Sequence, residues 1–181
     1  MKALDALIRL CPPPVTGRGP ASDGKGIAPI PPSHAAMLDV YGPGRFNDFL
    51  WIYGNSNSEI WPDIEARTKA SSAILAGKKI PGIRAALTKF GISPDELIEW
   101  GATDNADCLF WVPTGQADAW PTLIVEAGQL DYTVVEASSP DVVLRFLEGR
   151  LDCPFFPAES TSRFPEFESW WDEDLESWWD D

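Results

Sequence analysis

Carboxylates and tryptophans are the side chains of this sequence best able to do chemistry or to bind. Asp104 and Asp107 stand three apart in "TDNAD". Asp172, Glu173, Asp174, Glu176 and Asp180 crowd the C-terminus beside Trp178 and Trp179. Two carboxylates in a dry pocket act as general acid and base when their surroundings push their pKa values apart. Here 28 acids are spread over 181 residues, so no single pair stands out, and solvated turn and tail charges are the expected role. The only histidine, His34, follows two prolines at a helix start, with nothing nearby to make it a base, and reads as structural. One histidine and three scattered cysteines give no zinc spacing. "DNAD" lacks the alternating acids and distal glutamate of a calcium loop. "GPGRF" lacks the Lys-Ser/Thr of a phosphate loop, and its proline removes an amide donor. The expectation is a protein with no catalytic set, metal or cofactor.

Charge narrows the partners. The formal net charge is −14, which repels nucleic acid and anionic membrane and suits either simple solubility or a basic protein partner. Cys11, Cys108 and Cys153 are odd in number and far apart. They read as small hydrophobes in a reducing compartment. The N-terminus, "MKALDALIRLCPPP", is too polar for a secretion signal, and no apolar run approaches the roughly 20 residues of a membrane span. A cytoplasmic location is expected.

The elements that must position these residues alternate in type. Leu4, Leu7 and Ile8 set a short amphipathic helix over residues 2–10. "PPPVTGRGPASDGKG" reads as a loop. A second helix starts after Pro31-Pro32 with Ser33 as N-cap, and ends at Tyr41 before "GPG". "DFLWIYG" is a strand. A helix runs from about Pro62 to Gly77, with further helical turns over 81–90. Leu97–Trp100, "CLFWV", "TLIVEAG" and "DYTVVEA" form a meander of short strands, and "TDNAD" is a tight turn in it. Trp51, Trp100, Trp111 and Trp120 read as core and sheet-edge packing. A final helix is capped at Ser139, has Pro140 in its first turn and stops at Gly149. The predicted class is α+β: an antiparallel-rich sheet with N-terminal helices and a C-terminal helix packed on one side, over residues 1–165.

The last 18 residues, "FPEFESWWDEDLESWWDD", are of another kind. They hold eight acids and no base, and subtracting these from −14 leaves −6 on the preceding 163 residues. "ESWWD" occurs twice, eight residues apart. On a helix Phe167, Trp171, Leu175 and Trp178 would share a face. Residues 166–181 are therefore expected to form a short helix or ordered turn, with that side on the domain and its acids outward. A tail with four tryptophans either covers a groove of its own domain or docks on a partner.

Four stretches in succession resemble the landmarks of the SUKH superfamily: "LDALIRLCPPP", "IPPSHAAMLDVYGPGRFNDFLWIYG", "WGATDNADCLFWVPTGQADAWPTLIVE" and "SPDVVLRFLEGRLDCPFFP". The resemblance covers about residues 1–165, loosely over 55–95, and its Trp-Gly-x-Thr…Asp…Trp stretch is the specific part. Ser33-His34 stand where Asp-Tyr is common in that family, and Ala106 stands where the turn usually has glycine. The resemblance implies a cytoplasmic, non-enzymatic immunity protein that occludes the active site of a cognate toxin, commonly one acting on nucleic acid or nucleotides. The alternative within the same family is a regulatory scaffold acting through protein–protein binding. A third reading, from another class, is a small enzyme using carboxylates alone. With a basic toxin as partner, and a monomer favoured, the contact candidates are Asp104, Asp107, Asp172, Glu173, Asp174, Glu176, Trp178, Trp179 and Asp180.

Overall fold

The computed structural model describes residues 2–14, 29–55, 63–77, 81–128, 131–157 and 164–170. Among them a seven-stranded sheet forms the centre: β1 (Gly44–Phe46), β2 (Leu50–Ile52), β3 (Ile98–Thr103), β4 (Cys108–Trp111), β5 (Thr122–Val125), β6 (Tyr132–Val135) and β7 (Phe167–Ser169). The order is β6-β5-β4-β3-β2-β1-β7 and every pairing is antiparallel. Five helices accompany it: α1 (Lys2–Leu10), α2 (Pro32–Tyr41), α3 (Ile64–Gly77), α4 (Pro81–Thr88) and α5 (Ser139–Leu147). The fold is α+β.

Helix starts follow local chemistry, shifted by a residue or two from expectation. Pro32, not a residue after Ser33, opens α2, because a fixed φ suits the first turn and no amide is needed there. The helix expected from about Pro62 is described from Ile64, with Asp63 as its cap. Its Oδ1 accepts from the amides of Glu65 (2.9 Å) and Ala66 (3.4 Å), which satisfies two donors the first turn leaves open. Ser138 precedes α5, with Pro140 in the first turn.

The expected one-sided packing holds for α1, α2 and α5. His34, Met37, Leu38 and Tyr41 are the buried residues of α2, spaced three, four and seven apart on one stripe. Met37, Leu38 and Tyr41 join Leu7, Leu50, Ile52, Leu109, Trp111, Ile124, Val143 and Phe146 in the larger core. A second core lies on the opposite face, where Leu75 of α3 and Ile83 and Leu87 of α4 cover Phe110, Leu123 and Val125. The reason is in the strands: β5 is buried at all four positions, and a strand apolar on both sides needs cover on both sides.

The meander predicted over residues 97–137 forms as β3 to β6. In β3 the register shifts between Glu99 and Gly101, so Trp100 is the extra residue of a bulge. Glu99 then faces α3 while Trp100 enters the larger core. A Cβ on Gly101 would lie 2.4 Å from the Trp51 carbonyl, so the Trp-Gly pair marks where β2 and β3 approach too closely for a side chain.

The tail departs from expectation where it is described. Phe167–Ser169 is a strand paired to β1, not a helical turn. Its residues alternate. Phe167 packs on Tyr41 and Phe46, with centroids 5.1 and 4.7 Å apart, while Glu168 lies opposite Arg45. That period of two, with the open edge of β1 beside it, outweighs the helical spacing. This strand lies beyond the boundary expected at residue 165. Residues 171–181, and with them Asp172, Glu173, Asp174, Glu176, Trp178, Trp179 and Asp180, lie outside the described residues.

Candidate protein-binding surface

At the β7 end, the sheet face turned away from α1, α2 and α5 carries Glu168, Arg45 and Trp51 in one cross-strand row. Arg45 Nε donates to Glu168 Oε2 at 2.6 Å, and its Nη2 lies 3.1 Å from Asp48 Oδ1. The guanidinium also sits 5.0 Å from the centroid of the Trp51 ring. Trp170 meets that ring edge-on at 4.9 Å, and Trp51 Nε1 donates to Asp104 Oδ1 at 3.3 Å. Two separate turns and the edge strand thus meet around one aromatic pair. Asp48 is 66% exposed and Glu168 39%. At that exposure ion pairs contribute little to stability, roughly 0.2–1 kcal/mol each. Chemically, the cluster is an aromatic pair rimmed by three carboxylates, with Arg45 over the Trp51 ring and paired to Asp48 and Glu168.

The turns that present it are tied by backbone hydrogen bonds. Asn47 and Asp48 have φ of 50° and 53°, a left-handed pair that Asn and Asp tolerate best after glycine. In "TDNAD" the Asp104 amide donates to the Phe49 carbonyl at 2.9 Å and the Ala106 amide to that of Thr103 at 2.9 Å. Ala106 has φ of 65°, which for a residue with a Cβ costs roughly 1–2 kcal/mol.

The two acids of that turn go different ways. Asp104 is exposed and belongs to the surface cluster. Asp107 is buried. Its Oδ2 accepts from Thr103 Oγ1 at 2.7 Å and its Oδ1 from the Ala127 amide at 3.1 Å. Asp107 therefore ties the β3–β4 turn to the β5–β6 turn, and its carboxylate is not on offer to a partner. Asp107 is among the contact candidates, and a carboxylate this committed to internal donors is costly to withdraw. The "TDNAD" acids consequently do not converge as an acid–base pair.

A buried polar cluster that the sequence reading missed joins α3 to β3. Glu99 is fully buried. Its Oε1 accepts from Tyr53 Oη at 3.1 Å and from Arg67 Nε and Nη2 at 3.3 and 3.2 Å, and its amide donates to Thr68 Oγ1 at 2.9 Å. Burial, then the Glu99 charge, pushes the Tyr53 phenol well above its ordinary range. The available signal was one acid inside the apolar run "LIEW", since a buried charge needs a partner.

The tryptophans of the middle stretch are packing residues. Trp100 and Trp111 are buried and stacked 6.1 Å apart, and half-buried Trp120 follows 6.4 Å from Trp111. His34 lies edge-on to Trp111 at 4.7 Å, and its Nδ1 is 2.9 Å from Ser139 Oγ. Burial lowers its pKa to about 3, opposed in part by the Tyr53 backbone. The thiols are pushed up by burial, to about 11 at Cys11 and about 12 at Cys108 and Cys153. Thiols that hard to ionise are poor nucleophiles and poor metal ligands.

A shallow cavity of about 40 Å³ lies between α3 and the sheet, lined by Ser71, Leu75, Cys108, Phe110, Val125 and Glu126 among others. Its volume is on the scale of a water molecule or two. Among the described residues no three His, Cys, Asp or Glu side chains stand close enough to hold a metal ion, and no helix is long and apolar enough to cross a membrane. No family model, curated protein or solved structure matches this chain.

Proposed function

We propose that this chain is a non-enzymatic, SUKH-like immunity protein that binds a basic toxin domain and covers its active site. The observation that carries the reading is the cluster at the β7 end. Asp48, Asp104 and Glu168 ring the Trp51–Trp170 pair, and six further acids follow in residues 171–181 of the acidic extension. Its chemistry suits a cationic cleft that otherwise takes a polyanion, so a nuclease or another nucleic-acid- or nucleotide-acting domain is the toxin class. Aromatic and arginine side chains at such a centre are the usual energetic anchors of an interface, and a surrounding charge of one sign speeds encounter. The order of the four landmark stretches supports the family, and the net charge of −14 supports the sign of the partner. Growth rescue tests the function. Cells expressing the toxin-like product of an adjacent gene should survive when this chain is co-expressed. Death despite folded, abundant chain would refute the reading.

A further inference from the structure

The groove along β1 that holds β7 is matched to a motif the chain carries twice. Phe167-Glu168-Ser169-Trp170 sits there with Phe167 on Tyr41 and Phe46, Glu168 on Arg45, and Trp170 on Trp51. Gly44 makes the fit possible. A Cβ at that position would lie 2.6 Å from the Phe167 ring and 2.2 Å from the Glu168 carbonyl, so only a bare backbone lets the strand lie this close. Eight residues on, the chain reads Leu175-Glu176-Ser177-Trp178, again followed by Trp-Asp. Eight is even, so a strand advanced by one repeat keeps each side chain on its own face.

We propose that the β1 edge takes either repeat: residues 175–178 replace residues 167–170 in the same groove and register. Glu176 then meets Arg45, Ser177 takes the position of Ser169, and Trp178 lies on Trp51. Leucine replaces phenylalanine over Gly44 and forgoes the ring contacts with Tyr41 and Phe46, so the first repeat is the major occupant. Lengthening the connection from Pro157 by eight residues, about a doubling, lowers occupancy of the second by only about threefold on loop entropy. The exchange frees the first repeat, with Trp170, Trp171 and Asp172, for a partner. It does so without leaving β1 as an open edge, which would invite aggregation. The inference does not depend on a toxin.

Hydrogen exchange on the full chain tests it through the peptide covering Gly44–Asn47, whose Asn47 amide donates to the Glu166 carbonyl at 3.0 Å. Phe167→Ala should raise exchange there by less than threefold and Leu175→Asp alone should leave it unchanged. The double variant should raise it at least tenfold. Phe167→Ala alone matching the double variant, or no change in either, would overturn the proposal. A second measurement does not rely on Phe167→Ala folding. In the dilute, oxidised variant Arg45→Cys/Glu176→Cys, mass spectrometry should find an intramolecular 45–176 link. Its absence, or a link only between two molecules, while Arg45→Cys/Glu168→Cys cross-links readily, would equally overturn it.

Discussion

His34 shows what one side chain does for this fold. It is the sole histidine, and it is sealed against Trp100, Trp111 and Ser139 with a pKa lowered to about 3. Between that value and the unfolded 6.5 the unfolded chain binds the extra proton, so this histidine favours folding above pH 6.5. The contribution fades as pH falls towards 3, by at most about 1.4 kcal/mol per pH unit. Urea midpoints at pH 7.5 and 5.0 should diverge more for the natural chain than for His34→Gln. Equal slopes would place the histidine in contact with solvent. Ala106 offers the opposite case, a residue kept at φ 65°. Ala106→Gly should raise stability by about 0.5–1 kcal/mol, strain relief exceeding the added freedom of the unfolded chain. A lower melting temperature would show the turn to be unstrained.

Elements were legible where their period was long and their caps clear. Helices α1, α2 and α5 and the β3–β6 meander stood out because stripes and turn residues agreed. The strands β1 and β7 did not. Each has three residues, one contains Gly44 and Arg45, and both exist through pairing with distant chain rather than through local preference. The second core was readable in principle from "CLFWV" and "TLIV", runs with no polar alternate. The split between Asp104 and Asp107 was not, because it depends on the Ala127 amide 20 residues away. Glu99 belongs to this scale as well, since it pins α3 to β3. Glu99→Ala leaves Arg67, 45% exposed, a route to water but strands Tyr53. A loss of about 1–3 kcal/mol is expected in urea unfolding, with Glu99→Gln losing less. An unchanged midpoint for Glu99→Ala would remove the cluster from the account of stability.

At the scale of the whole molecule, charge and surface act together. A formal −14, with eight acids in the last 18 residues, gives a field reaching beyond any single contact. Long-range attraction is screened past roughly 8 Å at 0.15 M salt. The association rate with a basic partner should therefore fall steeply from low to physiological salt while dissociation changes little. Charge alone does not specify a site; in the proposed reading the Trp51–Trp170 pair with Asp48 and Asp104 supplies it. The most direct measurement is the affinity of the purified chain for a basic toxin-like domain encoded by an adjacent gene, taken with the natural chain and with Asp48→Asn/Asp104→Asn, which remove both charges and suit the left-handed turn at Asp48. The account predicts a tight one-to-one complex that the double variant weakens at least tenfold, about 1.4 kcal/mol, with its melting temperature kept. Natural and double-variant chains that bind equally well, or a natural chain that does not bind at all, would contradict it.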